Sequence, residues 1–94
     1  MRKTELQRLF ELSRKNTTGD ITPSERNERK RLMRRAEMAA EETGDDLTVE
    51  AVRLRYIFAY KWDDVADEMC CISSDCIRKR CSRAMYKDAA HANV

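Results

Sequence analysis

The chain has 94 residues, enough for one small core and a single domain of three to five helices. Charged residues make up 38% of it, yet the formal net charge is only +2, so partners must be read from where the charge sits. No apolar run approaches the ~20 residues of a membrane span, and two glycines and one proline exclude a turn-rich β fold.

Three breaks divide the chain: "NTTGDITP" (16–23), "TGDD" (43–46) and "CCISS" (70–74). The first predicted helix, Arg2 to Arg14, carries Leu6, Leu9, Phe10 and Leu12 at helical spacing on an otherwise polar surface. The amino-terminal stretch is charged on both signs and lacks the apolar block of a signal peptide. An intracellular, cytoplasmic protein is the natural expectation, in which the four cysteines would be reduced thiols.

The second predicted helix opens on a strong start signal. Thr22 stands at the N-cap, Pro23 at the first helical position, and Glu25 completes a capping box. The helix should run to Thr43 and stop at Gly44. Leu32, Met33, Ala36, Ala39 and Ala40 share one face, with Arg26, Arg29, Lys30, Arg31, Arg34 and Arg35 expected opposite them.

"DDLTVEAVRLRYIFAY" (45–60) is apolar around much of its circumference and is read as one central helix. Tyr56 and Phe58 are expected in the core or at an interface. A base-stacking platform would need exposed aromatics beside basic grooves.

A short helix, "WDDVADEM", follows, with Asp63 and Asp64 in the first turn, where negative charge suits the helix dipole. Ser73 or Ser74 caps the last helix, read as Ser74 to about Lys87. Stepping 100° per residue from Ile77 puts Cys81, Ala84 and Met85 within about 80° of it. Asp75, Lys79, Ser82 and Tyr86 fall opposite, with Arg78 and Arg83 on the flanks. Charge is polarised across this pair: four acids and no base from Asp63 to Glu68, five bases against two acids from Asp75 to Asp88.

The pattern "WDDVADEM…IRKRCSRA" resembles the C-terminal, promoter-reading helix-turn-helix of bacterial sigma factors, and more closely the small sigma-like late-gene activators of phages and prophages. The resemblance covers roughly residues 48 to 87 and rests on the aromatic and two acids, the Val65-Ala66 pair, Ile77, and the basic run ending in Arg83-Ala84. This chain has Cys70 and Cys71 where the family's turn carries a glycine, and Lys61 where the family has a capping Ser or Thr.

These readings combine into an all-α fold of four to five helices with a C-terminal helix-turn-helix. Residues 1–45 would pack or dimerise, 46–90 would bind DNA, and 91–94 would be a tail. The resemblance implies a sequence-specific transcription regulator, encoded by a phage or mobile element, with RNA polymerase and a second copy of the chain as further partners.

The last helix would enter the major groove of double-stranded DNA. Ser74, Arg78, Lys79 and Ser82 are the candidates for base edges. Arg53, Arg55, Lys61, Arg80, Arg83 and Lys87 are those for phosphates. Two rivals stand beside this. One is a protein-interaction module using the acidic 63–68 face, and the other a DNA-binding subunit of a packaging complex.

Chemistry other than binding finds little support. Cysteines at 70, 71, 76 and 81 lack the paired short spacing of a zinc site, and the single histidine, His91, lies in the tail. A nucleophilic cysteine would want a positioned histidine, and no glycine-rich phosphate loop occurs. No metal, cofactor or enzymatic activity is expected; Cys70 or Cys71 and Cys81 are expected to fill core space.

Overall fold

Thr22 illustrates how local chemistry sets the helix boundaries. Its hydroxyl accepts from the Glu25 amide at 3.2 Å and the Glu25 carboxylate accepts from the Thr22 amide at 3.1 Å. That box, with Pro23 behind it, opens the longest helix where the sequence places it.

The computed structural model describes residues 1–69 and 73–86, and among these the chain is helical without strands. Five α-helices follow one another: α1 (Lys3–Thr18), α2 (Pro23–Glu42), α3 (Asp46–Val52), α4 (Trp62–Glu68) and α5 (Ser74–Met85). A π-helical turn, Arg53–Ile57, continues α3. None of the described helices is long and apolar enough to cross a membrane. Cys70, Cys71, Lys87 and His91 lie outside the described residues, as does the connection at 70–72.

The first helix is longer than its apolar stripe. It continues through Asn16, Thr17 and Thr18 to Gly19, whose φ of 82° ends it in the left-handed region. Without a Cβ, glycine adopts that conformation freely.

Residues 45–60 do not form one straight helix. The Phe58 amide donates to the Arg53 carbonyl at 3.1 Å and the Tyr60 amide to the Leu54 carbonyl at 3.0 Å, so the ladder widens. Ala59 then reverses the chain at a φ of 60°. The carbonyls freed at this end are taken from outside the segment. The Ser13 hydroxyl donates to the Tyr56 carbonyl at 2.6 Å, and Arg29 Nη2 donates to the Ile57 carbonyl at 2.9 Å.

One apolar cluster joins all five helices. It runs from Leu6, Leu9 and Leu12 through Leu32, Ala36 and Ala40 to Ala51, Val52, Leu54 and Tyr56, and on to Val65, Ile77, Cys81 and Met85. Arg29 belongs on the inward side of α2, half buried, with Nε donating to the Ser13 hydroxyl at 3.0 Å. It does not share the solvent face expected for it. Phe58 points outward, 55% exposed.

Candidate nucleic-acid interface

The carboxyl-terminal helix pair is built from two short segments packed on each other, with α5 also resting on α3. Lys61 caps α4 through backbone alone, without a side-chain bond. Ser73 caps α5, its hydroxyl accepting from the Cys76 amide at 3.2 Å, which leaves Ser74 as the first helical residue. Of α5, Ile77, Cys81 and Met85 are buried. Burial pushes the Cys81 thiol up to about 12, so it stays a neutral, space-filling group. The exposed Cys76 lies outside this stripe.

The opposite side of α5 is cationic. Arg78, Lys79 and Arg83 are all exposed. Arg78 Nη2 donates to Asp75 at 3.1 Å, an open pair between neighbours on one helix. Such a pair contributes little, a few tenths of a kcal/mol, and is readily exchanged for another anion. Lys79 and Arg83 make no ion pair among the described residues. Ser82 donates to the Arg78 carbonyl at 2.9 Å, so its hydroxyl proton is committed to the helix.

Arg80 is exposed too, but it is engaged in an ion pair across the surface. Its Nε donates to Asp45 Oδ2 at 2.7 Å, across to the junction of α2 and α3. Asp45 also caps α3 through the Leu47 amide and accepts from the Thr48 hydroxyl. The Arg80 bond, then the Thr48 bond, hold the Asp45 carboxyl down at about 2. One signal for this was present in the sequence: the 100° step places Arg80 only about 60° from Ile77.

The remaining candidates separate by depth. Arg53 is exposed with Glu50 at 4.0 Å, and Lys61 is exposed at the head of α4. Arg55 is half buried, its guanidinium 3.9 Å from the Phe10 ring centroid and 4.9 Å from that of Trp62. Its Nη1 donates to the Tyr60 carbonyl at 3.0 Å, while Nε is buried without a partner among the described residues. Burial lowers its proton affinity, with the Tyr56 and Tyr86 hydroxyls opposing the effect and Arg14 adding to it. Arg55 braces the link into α4, with two rings standing in for a counter-ion.

The structure thus gathers Arg78, Lys79 and Arg83 on one open surface, with Ser74 at its leading end. Arg80 is exposed but held by Asp45, and Arg55 is half buried against Phe10 and Trp62. Among the described residues, no three His, Cys, Asp or Glu side chains come together as a metal site would require. No family model matches the chain, and neither a curated protein nor a solved structure matches it.

Proposed function

We propose that the protein is a sequence-specific DNA-binding transcription regulator of the sigma-like kind, with α5 entering the major groove. The observation that carries this reading is the two-sidedness of α5: Ile77, Cys81 and Met85 buried, with Arg78, Lys79 and Arg83 turned to solvent. Arg78 and Lys79 reach guanine acceptors in this arrangement, supported by Ser74 and, as a hydrogen-bond acceptor only, by Ser82. Arg83, with Arg53, Lys61 and Lys87, grips phosphates and sets register. Cytoplasmic action, contact with RNA polymerase and a paired copy reading a second half-site belong to the same proposal.

The test is affinity for duplexes selected from a random pool, followed across salt. Arg78→Ala should weaken the selected sequence by about 1–3 kcal/mol and relax preference at one base pair. Arg83→Ala should weaken all sequences alike and lower the salt slope by about 1. Equal loss on every sequence from both substitutions would remove the base-reading role.

A second reading is favoured by α4, where Asp63, Asp64 and Asp67 are exposed. Their outward face suits a basic partner protein such as a polymerase subunit. Affinity for DNA that stays flat across salt, with retention of such a partner lost in Asp63→Asn and Asp64→Asn, would favour it.

A further inference from the structure

Six cations of α1 and α2 sort into two groups. Those beside the seam between α1 and α2 are neutralised: Arg8 by Glu28 at 3.0 Å, Lys15 by Glu25 at 2.6 Å, and Arg35 by Glu5. Glu25 is so held by Lys15 that its carboxyl sits at about 2. Both acids in the first half of α2 are therefore occupied on the α1 side. Arg31 lies near enough to Glu28 to be felt by it.

Arg26, Lys30 and Arg34 are the other group. All three are exposed, and their side chains make no hydrogen bond or ion pair among the described residues. Spaced by four, they drift only ~40° per step and form a nearly straight line about 12 Å long. Beyond Arg34 the face turns acidic with Glu37 and Glu41, so the line is bounded.

This arrangement works against the helix that carries it. Like charges at i,i+4 destabilise by a few tenths of a kcal/mol per pair, and two such pairs occur in succession. Cations in the first turns also oppose the positive end of the helix dipole. A face selected only for solvation would alternate signs; local rules are broken where function asks for it.

We propose that Arg26, Lys30 and Arg34 form a second, sequence-independent contact with the phosphodiester backbone of duplex DNA. Over about 12 Å of helix axis one strand offers three or four phosphates, a match in number to the three cations. The choice of DNA as partner rests on the reading of α5 above, whereas the stripe itself does not.

The experiment uses the full chain and a random-sequence duplex, with affinity followed between about 50 and 200 mM salt. Replacing the three with glutamine (Arg26→Gln, Lys30→Gln, Arg34→Gln) should lower the slope of log K against log salt by about 2 to 3. The pair Arg26→Lys and Arg34→Lys keeps the charge and should restore the slope. Glutamine is a good helix former, so the triple variant should melt no lower than the parent.

An unchanged slope in a folded triple variant overturns the proposal and leaves the α5 reading intact. A lowered slope with no effect of Arg78→Ala on selected DNA supports the stripe and removes the α5 assignment. Absence of salt-dependent duplex binding by the parent chain overturns both.

Discussion

The Ser13 hydroxyl donates to the Tyr56 carbonyl across 2.6 Å while accepting from Arg29 Nε, so α1, α2 and the π turn meet at one buried oxygen. Ser13 is 1% exposed, and water cannot replace it cheaply. Ser13→Ala leaves the carbonyl and the guanidinium short of a partner and should cost about 1–3 kcal/mol. Urea unfolding should show a lower midpoint at unchanged slope. An unaltered midpoint would mean that the site relaxes around the loss.

Arg55 is half buried, held by the Tyr60 carbonyl and the rings of Phe10 and Trp62. Arg55→Lys keeps charge but loses the guanidinium's contacts with the Phe10 and Trp62 rings, with an expected loss of about 1–2 kcal/mol. Denaturation followed by the fluorescence of Trp62, the chain's one tryptophan, measures it. The salt slope for DNA should stay as in the parent. A fall of about 1 in that slope would restore Arg55 to the phosphate contacts.

Asp45 holds an exposed cation of α5 in an ion pair. Asp45→Asn preserves a good helix cap yet removes the charge that holds Arg80. Freed Arg80 should strengthen binding to duplexes of any sequence and steepen the salt slope by up to about 1. Weaker or unchanged binding would show that the tie matters for the placement of α5.

Acid should test both tied carboxylates together. Asp45 and Glu25 sit at about 2 in the fold against ordinary values of 3.8 and 4.5. Their folded values are depressed, so their contribution is fully present above about 4.5 and is lost as pH falls through 2. Melting temperature should fall across that window, and less steeply in Asp45→Asn. An identical acid profile in that variant would show that the Arg80 bond does not persist in solution.

How much of this was legible in the sequence differs from element to element. Thr22, Pro23 and Glu25 announce the start of α2 because capping is a local affair. The stripe of Ile77, Cys81 and Met85 likewise follows from periodicity alone. Nothing local announces the π turn, since the groups that complete it, Ser13 and Arg29, come from other helices. Arg29 and Arg55 were read as surface cations for a related reason: long aliphatic stems let guanidinium groups turn inward, and sequence alone carries no depth. Phe58, expected in the core or at an interface, does not join the core: it is exposed beside Ala59, whose φ is 60°.

The shared interior has a consequence for modularity. Leu6, Leu9 and Leu12 are wholly enclosed, and they pack in the same cluster as Ile77 and Met85 near the far end of the chain. A cut at 45/46 would therefore strip the wall from Ala51, Val52 and Tyr56 instead of releasing a self-sufficient fold. Grafting α4 and α5 alone onto another scaffold should yield a sticky fragment, and transplantation would have to carry the first two helices along.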